Sequence, residues 1–105
     1  MTQFIISYFG GDHPETDEQK QAHFAKYQAW LAELGNAVIE PMVPFKSTSV
    51  ISPNGDISKG STVSLMGHTV IQAENMEAAL ALAKSCPFLD INGTLEVSEV
   101  ANLAQ

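Results

Sequence analysis

Hydrophobic residues near the start of the chain follow the short period of a β-strand. In a strand over residues 3–9 the side chains would point alternately to two sides, and both sides carry large apolar side chains. One side carries Phe4, Ile6 and Tyr8, and the other carries Ile5 and Phe9. Both faces of this strand are therefore expected to be covered by other parts of the protein.

The pattern then changes to the longer period of a helix, predicted from residue 17 to about Leu34. Thr16 and Gln19 have the spacing of a capping box, in which each side chain bonds the backbone amide of the other residue. The apolar side chains recur every three or four residues and form one stripe: Phe24, Tyr27, Leu31 and Leu34, with Trp30 beside it. Gly35 is a suitable residue to end the helix.

The middle of the chain predicts an edge strand and a hairpin. The second strand begins at residues 37–39, and Pro41 and Pro44 each remove an amide donor, which indicates an edge position or an irregular strand. Residues 46–52 and 57–62 should form the two arms of an irregular hairpin, because the turn sequence Pro53-Asn54-Gly55-Asp56 lies between them. The third strand is predicted to start at Val63.

Residues 67–97 predict a strand, a helix, a turn and a last strand. Asn75 is a good N-cap for a helix that runs through Lys84, and Pro87 cannot continue that helix. The last strand is predicted to begin at Ile91. The helix has a single apolar stripe, made of Met76, Ala79, Leu80 and Ala83.

This order of elements matches the split βαβ plan of the ferredoxin-like α+β fold, in one domain over residues 1–105. In the third strand the odd positions are apolar or small, and the even positions are mixed. We expect the odd set to face the helices and the even set, together with Phe4, Ile6 and Tyr8, to face the other way. Two helices cover only one face of a sheet, so the other face is predicted to meet a second copy in a twofold dimer.

Composition excludes several partners. Five lysines, no arginine and twelve acidic residues give a net charge of −7, which opposes binding to nucleic acid or to an anionic membrane. One cysteine cannot form an internal disulfide, which favours a reducing, cytoplasmic location. The N-terminal residues have the pattern of a strand and lack the basic start of a signal peptide.

Nearly the whole chain resembles the YCII-related family, most closely over residues 63–100 and least closely over residues 44–62. The resemblance rests on residues 66–75 and 77–84, on Cys86-Pro87-Phe88 and on Leu95-Glu96-Val97. It implies a dimeric α/β barrel, similar to the subgroup named for an Asp-Gly-Pro-Phe motif. Gly60-Ser61-Thr62-Val63 stands in the corresponding region, so the motif itself is missing.

His23 is the first candidate for chemistry, because a free imidazole gives or takes a proton near neutral pH. The family resemblance implies that a histidine in the first helix works with a carboxylate from an Asp-Pro-aromatic turn. Cys86 occupies that carboxylate position here, so Asp90 or Asp12 would have to replace it. The alternative is a histidine that only meets solvent. Tyr27 and Trp30 would border a pocket at His23.

Three further residues are candidates for ligand binding. Asp12 and His13 lie on the loop after the first strand, where sites often occur, although such a turn is more often simply solvated. His68 lies on the even face of the third strand, either in a polar pocket inside a dimeric barrel or in interface hydrogen bonds. The histidines are too dispersed to predict a metal site. The sequence has neither a phosphate loop nor a dinucleotide motif, so we expect no cofactor.

Two classes of function follow from these features. The first is a small-molecule-binding protein, which could be a cofactor-free enzyme that uses His23 for acid–base chemistry. The second is a non-catalytic module for dimerisation, protein interaction or metabolite sensing. A pocket beside Tyr27 and Trp30 would favour the first class, and a closed dry core there would favour the second.

Overall fold

A computed structural model describes residues 1–101, so the last four residues of the predicted domain lie outside the described part. It contains two α-helices and six strands. Their bounds are β1 Thr2–Gly10, α1 Asp17–Leu34, β2 Val38–Pro44, β3 Ser49–Ile51, β4 Ile57–Lys59, β5 Leu65–Ala73, α2 Met76–Ala83 and β6 Gly93–Glu99. Short 3₁₀ turns occupy Gly35–Ala37 and Pro87–Ile91. The fold is thus a small α+β domain.

Four of the strands form one antiparallel sheet in the order β2-β5-β1-β6, and β3 pairs only with β4 in a separate hairpin. The sequence correctly predicts β2 as an edge strand. Its pairing with β5 is also irregular, with register shifts between Val38 and Val43. The two prolines explain both features, since each removes a donor from the ladder.

The register corrects the predicted faces of β1. Phe4 lies opposite Ile71, Ile6 opposite Thr69, and Tyr8 opposite Gly67. These side chains therefore share the helix-covered face with the odd positions of β5, and Phe4, Ile6 and Tyr8 are fully buried. The prediction that they face the other way with the even set is wrong.

The helices form as their capping residues predict. The Thr16 hydroxyl accepts a bond from the Gln19 amide at 3.1 Å, and the Gln19 side chain bonds back to the Thr16 amide, which completes the capping box. The Asn75 side chain accepts a bond from the Ala78 amide at 2.9 Å at the start of α2. The core under both helices is aromatic and aliphatic, with Phe4, Ile6, Tyr8, Tyr27, Trp30, Leu34, Ile71 and Phe88 at its centre.

The opposite face of the sheet has no helix over it among the described residues. Its side chains are mixed in polarity and partly exposed, and they include Ile5, Ser7, Phe9, His68 and Val70. Glu96 lies opposite Ser7 on the other side of β1. This face therefore exposes both apolar and polar side chains.

Several predicted boundaries and stripes need correction. The last strand begins at Gly93, because residues 87–91 coil into the 3₁₀ turn and Asn92 takes a left-handed conformation at φ 63°. The third strand begins at Leu65, since the positive φ of Ser64 turns the chain before it. Leu80 is 47% exposed and Phe24 is 63% exposed, so neither lies in the buried stripe predicted for its helix.

The β3–β4 hairpin stands away from the rest of the domain. The chain measures 48 × 41 × 18 Å and has a radius of gyration of 15.2 Å, whereas about 13 Å is usual for a chain of this size. Neither described helix is long and apolar enough to cross a membrane.

Candidate functional site

A cleft of about 540 Å³ opens between α1, the loop after β1, the end of β2 and the Pro87–Ile91 turn. Its floor and walls are largely apolar, and they include Phe24, Tyr27, Leu31, Met42, Phe45, Met66, Phe88 and Ile91. Its acidic and basic residues are Asp12, His13, Lys20 and His23. A mostly apolar cleft with a few polar groups is the usual form of a small-molecule site.

Glycine lets the loop after β1 come close to the aromatic wall of this cleft. A Cβ at Gly11 would lie 2.8 Å from Cζ of Phe88, and Gly11 has a φ of +87° that other residues rarely adopt. Phe88 is held in turn by Gly93, where a Cβ would collide with Cδ2 of the Phe88 ring. The ring is thus clamped between two backbone segments, which fixes the wall of the cleft.

His23 projects from α1 one turn before Tyr27. The two rings meet edge to face, with centroids 4.7 Å apart and planes at 86°. Partial burial and the positive charge of Lys26 lower the pKa of His23 below its ordinary value, while the charge of Asp90 acts in the opposite direction. The imidazole is therefore mostly neutral at pH 7 and can accept a proton.

Asp12 is the carboxylate that the structure brings to the cleft. The Asn92 side chain donates a hydrogen bond to its Oδ2 at 2.6 Å, and the Asp12 amide donates to the Ile91 carbonyl at 2.7 Å. The left-handed backbone of Asn92 positions that side chain. Asp12 is thus tethered to the turn that follows α2, although Asp12 and Asn92 lie 80 positions apart in the sequence.

A buried group of polar side chains lies beneath Tyr27. The Tyr8 and Thr69 hydroxyls share a hydrogen bond of 2.5 Å across the sheet. The Tyr27 hydroxyl is buried and has no hydrogen-bond partner among the described residues, although the Cys86 thiol lies beside it. Burial raises the pKa of Tyr8, Tyr27 and Cys86, so all three stay protonated at neutral pH.

Not every predicted site residue lies at the cleft. Trp30 is buried in the core, where its Nε1–H donates to the Leu82 carbonyl at 3.2 Å. His68 lies on the open face of the sheet, with Nε2 3.1 Å from Oε1 of Glu40 and its ring against Phe45. Asp90 is exposed and outside the cleft lining, and it reaches His23 only through its charge.

The cleft is lined, by contrast, by the other four predicted residues: Asp12, His13, His23 and Tyr27. The structure therefore brings together four of the seven residues predicted from the sequence. Across residues 1–101, no group of three or more His, Cys, Asp or Glu side chains is arranged to hold a metal ion. The side chains of this cleft can exchange protons and form hydrogen bonds.

Sequence reasoning missed part of the cleft. Lys20 and Phe45 line the cleft and have no sequence pattern that would single them out. Three prolines also line the cleft: Pro14 in the loop after β1, and Pro41 and Pro44 in the edge strand β2. Rigid loops at the ends of strands often frame binding sites.

These features define a small α+β domain with an aromatic cleft that bears two histidines, a lysine and a tethered carboxylate. No family model matches the chain, and no curated protein matches it. The YCII-related resemblance therefore has no confirmation from a family model.

Comparison with solved structures shows a shared fold. The chain is similar to the 5-chloro-2-hydroxyhydroquinone dehydrochlorinase TftG from Burkholderia phenoliruptrix AC1100, determined in complex with 2,5-dihydroxybenzoquinone. The TM-score is 0.58 at 15% identity, over 95% of this chain and 94% of TftG. TftG has an α/β fold of the YCII-related type, so the likeness agrees with the resemblance at the level of fold.

A second structure, an unknown protein from Galdieria sulphuraria, aligns with a TM-score of 0.40 at 11% identity. It spans 99% of this chain and 47% of the other. This similarity is too low to carry any conclusion about fold or function.

Proposed function

We propose that this protein binds a small, partly apolar molecule in the cleft beside α1 and that His23 exchanges a proton with it. The observation that carries the proposal is the convergence of His23 and Asp12 on one cleft with an aromatic wall. A ring-shaped or otherwise flat molecule would pack against Phe88 and Tyr27. Its polar group would then meet the ionisable residues of the cleft.

His23 is the proton acceptor in this proposal. Its lowered pKa leaves the imidazole mostly neutral at pH 7, so a ring nitrogen can accept a proton. A hydroxyl or an acidic C–H of the bound molecule would transfer its proton to a ring nitrogen. The charge of Asp90 favours the resulting imidazolium, so Asp90 acts at a distance on the proton-bound form.

Asp12 supplies the carboxylate that the Cys86 position lacks. Its tether to Asn92 holds one oxygen, which leaves the other free to accept a hydrogen bond from a ligand. Lys20 lines the same cleft, and its positive charge would balance the charge of an anionic product. Asp12 therefore replaces Asp90 as the carboxylate expected to touch the ligand.

We also propose that the domain has the ferredoxin-like plan and pairs through the open face of its sheet as a dimeric α/β barrel. The strand order β2-β5-β1-β6 with two helices on one face supports this assignment. The open face supports the pairing, because Ile5, Phe9 and Val70 are only partly covered there. His68 and Glu40 would then lie at the interface. A cytoplasmic location and the lack of a nucleic-acid partner stay predictions from the single cysteine and the net charge.

The similarity to TftG is one of fold, and it is compatible with this function. TftG is an enzyme that binds a small cyclic molecule, and at 15% identity its substrate does not transfer to this chain. The second class of function, a non-catalytic interaction module, was expected to show a closed core beside Tyr27. The open cleft there favours the binding protein.

A binding series with two histidine variants tests the proposal. Isothermal titration with small phenols, quinones and aromatic acids, 2,5-dihydroxybenzoquinone included, is made on the wild type, on His23→Gln and on His68→Gln. We expect binding by the wild type and by His68→Gln, and binding at least about tenfold weaker for His23→Gln. His68 is the matched control, because it lies on the open face. Equal binding by His23→Gln, or binding of no compound by the wild type, would contradict the proposal.

A further inference from the structure

Residues 46–62 form an arm with a defined shape and an uncovered apolar pair. Ile51 and Ile57 lie opposite each other on β3 and β4, and each is 72% exposed. The turn is closed by bonds from the Ser52 amide to the Asp56 carbonyl at 2.8 Å and from the Gly60 amide to the Thr48 carbonyl at 2.7 Å. An isolated two-stranded hairpin is only marginally stable in water, so an arm of this kind gains most from packing on another surface.

The arm also differs in charge from the rest of the chain. It carries two of the five lysines, Lys46 and Lys59, and one of the twelve acidic residues, Asp56. The rest of the chain therefore carries three lysines and eleven acidic residues. A net positive arm on a strongly negative domain is complementary in charge to the body of another copy of the same chain.

A groove of about 730 Å³ between α2 and β6 offers an apolar surface that could receive such an arm. Leu80, Leu89, Leu95 and Val97 line it, and Leu80 and Leu89 are among the exposed large apolar residues. β6 is an edge strand with no partner on its outer side in the described sheet. The segment that holds this groove, residues 74–99, contains five acidic residues and one lysine.

We propose that the arm of one protomer packs its Ile51–Ile57 pair into the α2–β6 groove of a second copy. The arm connects β2 to β5 and therefore leaves the sheet near its β2 edge, while the groove lies at the β6 edge. Three inter-strand spacings, about 14 Å, separate those edges, so an arm and a groove of one chain lie apart. A twofold axis makes the exchange reciprocal and closes the assembly at two copies.

This inference rests on the homodimer of the proposed function and adds a specific contact to it. The open sheet faces would meet across the axis, and each arm would reach past the partner's β6 edge to its groove. Lys59 on the arm would then approach the acidic residues of α2 and β6. The contact would weaken with added salt, because exposed charge pairs are screened.

Sedimentation equilibrium on charge variants tests the arm. The double variant Ile51→Asp, Ile57→Asp should dimerise at least about tenfold more weakly than the wild type, because two charges would enter an apolar groove. The matched control is Ala25→Asp, Ala32→Asp, which adds the same charge to exposed positions of α1 and should leave the dimer constant unchanged. Circular dichroism checks that each variant is folded.

Disulfide trapping tests the contact without weakening the fold. Ile57→Cys and Leu89→Cys are made in separate chains and mixed, and the native Cys86 is buried in both. A cross-linked heterodimer is expected, at a rate well above that of Ile57→Cys mixed with the control Ala32→Cys. Equal rates, or a double aspartate variant that dimerises like the wild type, would overturn the arm contact and leave the dimer standing. A wild type that stays monomeric would overturn both.

Discussion

The imidazole of His23 meets the ring of Tyr27 edge to face, with 4.7 Å between the ring centroids. One turn of α1 separates the two residues, and the capping box at Thr16 fixes where that helix begins. Tyr27 is buried and His23 only partly so, which means that the tyrosine holds the imidazole at the boundary between core and cleft. This position partly desolvates the ring and keeps it neutral near pH 7.

The first prediction concerns stability as a function of pH. Because the folded state lowers the pKa of His23, the unfolded chain binds its proton first as the pH falls. The contribution of His23 to the free energy of unfolding is fully present above its ordinary pKa of about 6.5. It is lost as the pH falls from there through the lower pKa that His23 has in the folded state. His23→Gln should remove this loss. Urea unfolding of both proteins from pH 8 to pH 5 should show the wild type losing stability relative to the variant.

The second prediction separates the two charges that act on His23. Lys26→Gln should raise the pKa of His23, because it removes a repelling positive charge, and Asp90→Asn should lower that pKa further. Proton NMR titration of the imidazole signals measures both shifts. Shifts of the same sign for the two variants would contradict this electrostatic account of His23.

The third prediction compares two buried tyrosine hydroxyls. Tyr8→Phe breaks the bond to Thr69 and leaves that hydroxyl buried without a partner, which should cost about 1–3 kcal/mol. Tyr27→Phe removes a hydroxyl that has no hydrogen-bond partner within residues 1–101, so the free energy of unfolding should stay equal or rise by up to about 1 kcal/mol. Chemical denaturation gives both values. A cost for Tyr27→Phe equal to that for Tyr8→Phe would mean that its hydroxyl is satisfied.

Much of the fold was predictable from local pattern. The capping residues Thr16 and Asn75 mark the starts of both helices, and two prolines mark the edge strand. The face of β1 was not predictable, because both of its sides are apolar and only the register with β5 distinguishes them. A shift of one residue in that register exchanges the two faces of a strand.

The candidate site was predictable only in part. His23, Asp12 and His13 stand out as ionisable residues on a helix flank and a glycine-containing loop. The tether from Asn92 to Asp12 joins residues that are 80 positions apart, and nothing local announces it. The same limit applies to Trp30, whose place beside the apolar stripe did not reveal that it bonds Leu82 in the core.

The fourth prediction concerns assembly. The uncovered face of the sheet, with Ile5, Phe9 and Val70, should bury itself in a twofold dimer. Light scattering coupled to size-exclusion chromatography at micromolar concentration should give about twice the mass of one chain, which is 11.3 kDa. The charge variant Val70→Glu should shift the equilibrium toward monomer. A stable monomer of the wild type at that concentration would exclude the dimer.

The most direct test of the central proposal is a map of where a small molecule binds. Two-dimensional NMR of the protein, titrated with 2,5-dihydroxybenzoquinone and with a set of simple phenols and aromatic acids, follows each backbone amide and the His23 ring. We expect shifts that saturate and cluster at Gly11, Asp12, His23 and Phe88, together with a change in the His23 titration. Shifts confined to other surfaces, or no binding by any compound at millimolar concentration, would contradict the assignment of this cleft as the functional site.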